Sequence, residues 1–299
     1  MASEMNRRDF IRQSATIVGA GLLAPTASAA GASSVMGPVP LGRTGAKIAR
    51  LGVGTGSQNG EVQRSLGQEG FNRLVRHAFD RGVTYIDTAD NYRTHQMVRE
   101  AIRGLPREQL FIQTKMPWER EEFRSRPLEV LARYRRELGV EYIDSLLIHC
   151  TTNRLWPDDL RPMMDAFSEA KQKGIIRLKG VSCHGLHPLQ RATDVDWVDV
   201  HLVRVNPQGR HVDNVGNDWD VPGDVDTVMR EVRAMHGKGR GIIGMKLVGN
   251  GSFTNPDDRE RALRFAMTCG CVDSVVIGFG STGELDEAYT RIERVLASA

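Results

Sequence analysis

The chain has 299 residues, of which 40% are hydrophobic, and its formal net charge at pH 7 is +3. This composition suits a globular protein with a sizeable core, and it includes no long run of Lys or Arg. Nucleic acid is therefore not an expected partner, because binding it normally requires a clustered basic face. Beyond residue 30, no apolar stretch approaches the roughly 20 residues of a membrane-spanning helix, so no membrane anchor is expected.

The N-terminus has the composition of an export signal. A charged segment with paired Arg7 and Arg8 precedes an apolar stretch, residues 15–24, and the small residues Ala27–Ala29. This order is that of a signal peptide for the twin-arginine export machinery, with a disordered basic tail as the alternative. We expect export to the periplasm or the cell exterior. The expected parts are a signal peptide (1–29), a linker (30–37) and a single folded domain (38–299).

The four cysteines are Cys150, Cys183, Cys269 and Cys271. Export would permit disulfides, but two of these cysteines are separated by a single residue. None of the spacings resembles that of a zinc-ligand set. We therefore expect free thiols and no bound metal.

The folded part of the chain begins with a hairpin and then alternates strands and helices. The L-G-R-T-G turn between short apolar segments predicts the hairpin, and Ile48–Gly54 predicts the first core strand. Apolar residues at helical spacing predict a helix over Gln68–Arg81. Further predicted strands are Thr84–Thr88, Leu110–Lys115, Tyr142–His149, Arg177–Ser182, Trp197–Val205, Ile242–Leu247 and Ser274–Gly278. Further predicted helices are His95–Arg103, Pro127–Leu138, Pro162–Lys173, Pro188–Asp194, Asp224–Gly237, Asp257–Thr268 and Glu284–Leu296.

Eight strands, each followed by a helix, predict an α/β fold of the (β/α)8 TIM-barrel class. An open doubly wound sheet is the alternative, and it normally has a G-x-G-x-x-G turn after its first strand. The comparable segment here, G-V-G-T-G-S, lacks the third glycine in register. The barrel is therefore preferred.

Four polar residues lie at or just beyond the ends of predicted strands. Asp87 and Tyr92 belong to V-T-Y-I-D-T-A-D-N-Y, Lys115 ends one strand and His149 ends the next. Catalytic groups of barrels gather at the carboxyl ends of the strands. A carboxylate, a phenol, an ammonium and an imidazole at that rim would make a proton-transfer site. Taken singly, each also has a structural interpretation, such as a turn cap, a packed ring, a solvated lysine or a core histidine.

The motifs I-D-T-A-D-N-Y, Q-T-K-M, L-L-I-H and G-V-S occur in this order, and their four polar residues are separated by 5, 23 and 34 positions. In this respect the chain resembles the aldo-keto reductase family, from L-G-R-T-G to the final helix. The resemblance implies reduction of an aldehyde, a ketone or a sugar carbonyl by hydride transfer from NADP or NAD. It also implies that Tyr92 is the general acid.

The physical roles of these four residues are consistent with that chemistry. A free tyrosine has a pKa near 10, too high for an efficient acid at neutral pH. We expect the Lys115 ammonium to lower the pKa of Tyr92, and Asp87 to offset the cost of burying that ammonium. His149 is expected to donate a hydrogen bond to the carbonyl oxygen and orient it toward the hydride.

The resemblance also implies cofactor contacts at the nicotinamide end. Ser182 and Cys183 stand where the family has a Ser-Asn pair that holds the nicotinamide amide. Met245 takes the place of a tyrosine that stacks on the ring, and Lys246 is placed to reach the pyrophosphate. The remaining expected cofactor contacts are Gly54, Thr55, Gly249, Ser281 and Thr282.

The preference between NADP and NAD stays open at this point. NADPH users of the family place Lys-Ser and a following Arg at the end of the eighth strand. This chain has no basic residue between Ile277 and Glu287. An acid near the ribose hydroxyls usually favours NAD.

The substrate pocket and the alternative functions complete the predictions. Trp118, Trp156 and Arg204 follow or end predicted strands and are expected to border a small-molecule carbonyl substrate. A metal-dependent barrel hydrolase is one alternative, but no H-x-H motif ends the first strand. The other is a catalytically altered barrel that acts as a cofactor-binding or regulatory subunit.

Overall fold

The computed structural model describes residues 35–298, and the predicted signal peptide lies outside them. The ten strands in this part are β1 Val39–Pro40, β2 Lys47–Ile48, β3 Leu51–Gly54, β4 Tyr85–Asp87, β5 Phe111–Met116, β6 Ile143–Thr151, β7 Ile176–Cys183, β8 Val200–Arg204, β9 Gly241–Met245 and β10 Ser274–Ile277. The eleven α-helices are α1 Glu61–Ser65, α2 Gly67–Asp80, α3 His95–Ile102, α4 Glu121–Ser125, α5 Pro127–Leu138, α6 Trp156–Asp159, α7 Arg161–Gln172, α8 Leu186–Thr193, α9 Val225–Gly237, α10 Pro256–Thr268 and α11 Thr282–Ala297.

Strands β3 to β10 form a closed barrel in which all neighbouring strands are parallel. Closure occurs between β10 and β3, where Val276 pairs with Gly52. The predicted (β/α)8 barrel is confirmed. The eight long predicted helices are present within two residues of their predicted bounds.

The predicted N-terminal hairpin is also confirmed, because β1 pairs antiparallel with β2 and Val39 lies opposite Ile48. The predicted first core strand, Ile48–Gly54, is wrong in one respect. Its first residue belongs to the hairpin, and the barrel strand begins only at Leu51. The side chains of Leu41 and Ile48 pack with the apolar cluster inside the barrel, so the hairpin contributes to that core.

The core has two parts, because successive side chains of a strand point to opposite faces. The larger part lies between the strands and the helices, where helix α2 contributes Phe71, Leu74 and Val75. The smaller part fills the barrel and includes Tyr85, Phe111, Leu147, Leu178, Val200, Leu202, Ile243 and Val276.

This alternation decides which strand-end residues face the mouth of the barrel. A residue two or four positions after a lumen residue of the same strand faces the lumen as well. The residues that meet this condition at the carboxyl ends are Asp87, Lys115, His149, Ser182, Arg204 and Met245. The barrel therefore brings five polar side chains and one methionine, from six strands, to one rim.

The described cysteines carry free thiols, as expected, with Cys183 and Cys271 buried and Cys150 and Cys269 half-buried. The sulfur atoms of Cys269 and Cys271 are 3.6 Å apart, well beyond the roughly 2.05 Å of a disulfide bond. Within residues 35–298, no helix is long and apolar enough to cross a membrane.

Candidate active site

A buried ion pair forms the base of the site. The Lys115 ammonium donates to Asp87 Oδ2 at 2.6 Å and to the Thr88 carbonyl at 2.8 Å. Both side chains of the pair are almost completely removed from solvent. Gln113, two residues before Lys115, donates to Asp87 Oδ1 at 2.9 Å and thereby orients the carboxylate.

Tyr92 and His149 meet above this pair. Tyr92 ends a 3-10 turn, Asp90–Tyr92, that follows β4, and its hydroxyl lies 3.5 Å from His149 Nε2. The two rings are edge to face, and the Lys115 ammonium lies 4.9 Å from the centre of the Tyr92 ring. The structure thus brings the four strand-end residues together, with two possible donors that can reach one substrate oxygen.

A glycine allows this position of the phenol. A Cβ atom at Gly56 would lie 2.5 Å from Tyr92 Cζ, closer than any real contact, so only glycine leaves room for the ring.

The protonation states follow from burial. Burial and then the Asp87 carboxylate raise the pKa of Tyr92 above its usual value, so the phenol keeps its proton at neutral pH. This direction is opposite to the lowering expected from Lys115, because burial and the Asp87 carboxylate dominate. Burial, followed by the charges of Lys115 and Lys246, lowers the pKa of His149 to about 3. The imidazole is therefore neutral, and its Nδ1 is buried without a hydrogen-bond partner.

An elongated cleft of about 560 Å³ opens beside these groups. It runs from Asp87 and Tyr92, past the segment after β9, to Glu284 and Arg291 on α11. Gly54, Gly56, Gly278 and Gly280 line it, so the backbone is accessible along its length.

The residues present fit a nicotinamide at the inner end of this cleft. Ser182 Oγ is buried at the mouth and has no hydrogen-bond partner, so a polar hydroxyl is available for an amide group. Met245 lines the cleft, where its thioether can cover a flat ring.

Cys183 does not fit its predicted role as a cofactor contact. It has the opposite orientation to Ser182, and its thiol lies in the core outside the barrel, bonded to Thr151 Oγ1 at 3.3 Å. The neighbouring His184 is half-buried near the mouth, with its ring centre 6.4 Å from that of His149.

Thr55 also points away from the cleft. Its hydroxyl bonds to Thr94 Oγ1 at 2.8 Å inside the protein, while the adjacent Gly54 and Gly56 line the cleft. Gly249 has a φ of 57° and serves the turn after β9 rather than the cleft wall.

Ser281 and Thr282 lie at the start of α11, beside the outer end of the cleft. Ser281 Oγ caps the helix by accepting from the Glu284 amide at 3.2 Å. In return, the Glu284 carboxylate accepts from the Gly280 amide at 2.7 Å. Part of the donor capacity of this helix start is therefore already used.

The predicted substrate residues lie in different places. Arg204 is at the rim and Trp118 lies near it, with its indole nitrogen donating to the Cys150 carbonyl at 3.2 Å. Trp156 does not fit the prediction. Its ring is 1% exposed and packs in the outer core, donating to the Pro188 carbonyl at 3.4 Å.

Sequence reasoning missed several residues of the rim. Trp219 lies on the long segment 206–223 between β8 and α9, with its ring 5.0 Å from the Lys246 ammonium and 5.3 Å from the Arg204 guanidinium carbon. The length of this segment was the available signal, since loops longer than about 12–15 residues are often functional. Asp213 on the same segment is buried against Arg204.

The fold and the site define a (β/α)8 barrel with a proton-transfer centre beside an elongated cleft. The model of the Aldo/keto reductase family matches residues 50–269. The chain therefore belongs to the aldo/keto reductase family.

Similar proteins agree with this assignment. A 7-acetyl-epi-neemfruitin B aldo-keto reductase of Melia azedarach is 33% identical over 190 residues, which are 56% of this chain and 57% of the relative. A probable aldo-keto reductase of Glycine max is 29% identical over 187 residues, which are 54% of this chain and 51% of the relative. The chain thus spans little more than half the length of the curated relatives that it matches.

Among solved structures, the holo form of an aldo-keto reductase from Bacillus halodurans has a TM-score of 0.68 and 18% identity. The likeness covers 88% of this chain and 96% of that one. At this identity it supports the shared fold.

Proposed function

We propose that the protein reduces an aldehyde, a ketone or a sugar carbonyl by hydride transfer from a nicotinamide cofactor, with Tyr92 as the general acid. The observation that carries this proposal is the 3.5 Å approach of the Tyr92 hydroxyl to His149 Nε2, at the inner end of the cleft. A single carbonyl oxygen placed between these atoms can accept a hydrogen bond from each.

The two donors would act in sequence on that oxygen. The neutral His149 donates its Nε2 proton in a hydrogen bond and holds the oxygen in position. As hydride reaches the carbon, negative charge develops on the oxygen, and the Tyr92 phenol transfers its proton there. The phenol is a weak acid in the free protein, so the transfer becomes favourable only once the oxygen has the basicity of an alkoxide.

The Lys115 ammonium favours this proton transfer from Tyr92. It lies 4.9 Å from the Tyr92 ring centre, so it stabilises the negative charge that the phenol acquires when it loses its proton. Asp87 and Thr88 hold the ammonium in that place.

When bound, a reduced nicotinamide supplies the hydride. Ser182 and Met245 would hold its ring end, and the glycine-lined cleft would accept the rest. The donors and the space at the rim therefore fit a nicotinamide cofactor.

The outer end of the cleft favours a cofactor without a ribose phosphate. Arg259 and Arg291 both donate to Glu287 Oε1, at 2.9 and 3.0 Å. Arg291 also donates to Glu260 at 2.9 Å, so each of the two guanidinium groups already has a carboxylate partner. The Glu284 carboxylate has no cation partner among the described ion pairs, and it would repel a phosphate while accepting from ribose hydroxyls. We therefore propose NADH as the preferred reductant.

Replacement of Tyr92 by Phe tests the reaction. The variant is expected to lose about a hundredfold or more of the turnover with an aldehyde substrate, because proton transfer is lost. Its affinity for the cofactor, measured by quenching of tryptophan fluorescence, is expected to match that of the wild-type protein. Full turnover in this variant would refute the role of Tyr92.

Titration of the wild-type protein with NADH and NADPH separately tests the cofactor. Tighter binding of NADH is expected, and Glu284→Gln is expected to reduce the difference in Kd between NADH and NADPH. Absence of binding by both would refute the reductase function, and it would leave the regulatory alternative. Equal or tighter binding of NADPH would refute only the cofactor preference.

We also propose that the first 29 residues direct the protein through the twin-arginine route. The paired Arg7 and Arg8 before an apolar stretch support this proposal. Replacing both arginines by lysine is expected to keep the protein in the cytoplasm, as measured by cell fractionation. If that variant were distributed between the cell fractions as the wild-type protein is, the proposal of twin-arginine export would be contradicted.

A further inference from the structure

Lys246 is a cation at the mouth, and no carboxylate of the described part of the chain forms an ion pair with it. It follows β9, lines the cleft with Asp87 and Tyr92, and has a φ of 64°. The left-handed backbone region costs free energy for a residue with a side chain, so its occupation at a site points to a functional constraint. The ammonium donates to Asn250 Oδ1 at 3.0 Å, and within residues 35–298 it has no ion-pair partner.

The surroundings of this ammonium are themselves positively charged. Burial, followed by the charges of Arg204 and Lys115, lowers the pKa of Lys246 to about 8. The charged or titratable groups that interact with it are Arg204, Lys115, Asp87, Cys150, His149, His184 and His211. A lysine kept among other cations is a costly arrangement, and an anionic ligand would relieve it.

Arg204 adds donors beside Lys246. It faces the lumen at the end of β8 and pairs in register with Met245, the residue before Lys246. It is 5% exposed, and its one ion pair is to Asp213 Oδ1 at 3.3 Å. Its Nε is buried with no hydrogen-bond partner, so one N–H donor of the guanidinium is unused.

Trp219 joins the two cations. Its ring lies 5.3 Å from the Arg204 guanidinium carbon and 5.0 Å from the Lys246 ammonium. It stacks on the His211 ring with ring centres 3.9 Å apart, and His211 Nδ1 donates to the Trp219 carbonyl at 2.9 Å. The ring is therefore held in place, and it is 38% exposed.

We propose that Lys246, Arg204 and the ring of Trp219 form a subsite for a carboxylate group on the substrate. The protein would then act on carbonyl compounds that are also carboxylic acids, with the carbonyl at Tyr92 and the acid group at this subsite. The inference rests on the proposed reductase function for its catalytic consequence, but the subsite itself is defined by the three side chains.

The balance of charge identifies the ligand as a monoanion. Asp87 pairs with Lys115, and Asp213 pairs with Arg204, so among the described residues of the mouth Lys246 is the cation without a carboxylate partner. A carboxylate brings one negative charge and two acceptor oxygens, which suit an ammonium and a guanidinium together. A phosphate ester would bring nearly two negative charges and leave one of them unbalanced.

A matched pair of substrates tests the subsite in the reaction. The wild-type protein is expected to reduce para-carboxybenzaldehyde with a kcat/KM about tenfold or more above that for its methyl ester, because charge-assisted hydrogen bonds are lost in the ester. Lys246→Met is expected to abolish this advantage, and Lys246→Arg is expected to restore most of it. The control Lys173→Met removes an exposed lysine at the end of α7 that pairs with Glu169. In this variant the kcat/KM for the acid should still exceed that for the ester.

Binding measurements separate this inference from the reductase function. In calorimetric titrations, benzoate is expected to bind the wild-type protein at least tenfold more tightly than benzamide. The Lys246→Met variant is expected to bind the two ligands equally weakly. Equal binding of the two ligands to the wild-type protein would overturn the subsite, whether or not the protein reduces carbonyls. If Lys246→Met instead weakened cofactor binding and reduced both substrates' turnover alike, Lys246 would serve the pyrophosphate and the subsite would also be overturned.

Discussion

The buried pair of Lys115 and Asp87 makes a strong prediction about stability. Asp87→Asn keeps the shape of the side chain but removes its charge, which leaves an ammonium that is 1% exposed without a counterion. Removing one partner of a buried pair typically costs about 3–5 kcal/mol of the free energy of unfolding. For a domain of this size, that loss corresponds to a fall in Tm of roughly 6–20 °C.

The loss should depend on pH in a defined direction. Burial lowers the pKa of Lys115, and the carboxylate of Asp87 opposes that lowering, so the variant has a still lower pKa in the folded state. Between this value and the pKa near 10.4 of the unfolded chain, the unfolded state binds the extra proton. The free energy of unfolding of Asp87→Asn therefore rises with pH in this window, by at most about 1.4 kcal/mol per pH unit.

Urea denaturation followed by circular dichroism at neutral and alkaline pH measures both effects. The double variant Asp87→Asn/Lys115→Met has no buried charge and is expected to recover at least half of the loss. Glu169→Gln breaks an exposed pair with Lys173 and should change stability by less than about 1 kcal/mol. If the single and double variants were equally unstable and showed no pH dependence, the assumed compensation between the two charges would be refuted.

Three further predictions concern the rim. Gly56→Ala would place a Cβ 2.5 Å from Tyr92 Cζ, and displacement of the phenol is expected to lower kcat about a hundredfold while the protein stays folded. The control Gly237→Ala adds a Cβ with nothing within 4 Å, and its kcat should equal that of the wild-type protein. Ser182→Ala is expected to weaken cofactor binding about tenfold in a fluorescence titration, and an unchanged Kd would show that its hydroxyl makes no contact. Because the pKa of Lys246 is about 8, affinity for benzoate should be high below that pH and fall above it, and a flat calorimetric profile from pH 6 to 10 would contradict protonated Lys246 as the anchor.

The alternation of strands and helices was sufficient to predict the barrel from the sequence. A strand has a period of two and a helix a period near 3.6, so the apolar pattern records both directly. Parallel strands of a barrel end at one rim, and this rule alone predicts that Asp87, Lys115 and His149 lie together.

The tertiary structure decided the direction of each side chain at the rim. Ser182 and Cys183 are neighbours in sequence, yet the Ser182 hydroxyl faces the mouth and the Cys183 thiol lies in the outer core. Trp156 and Trp219 both follow barrel strands, but short helix α6 buries the first, and the long segment after β8 brings the second to Lys246. The backbone path of a loop depends on what it packs against, which local sequence does not record.

The electrostatic properties of the site also depended on contacts between distant positions. The pKa of Tyr92 is raised because the fold buries the phenol and places the Asp87 carboxylate near it. At the outer end of the cleft, packing of α10 against α11 joins Arg259 to Glu287 and balances a charge that would otherwise attract phosphate. The residue types were therefore readable from the chain, whereas the charge that each presents was set by its partners, because burial and Coulomb interactions act through space.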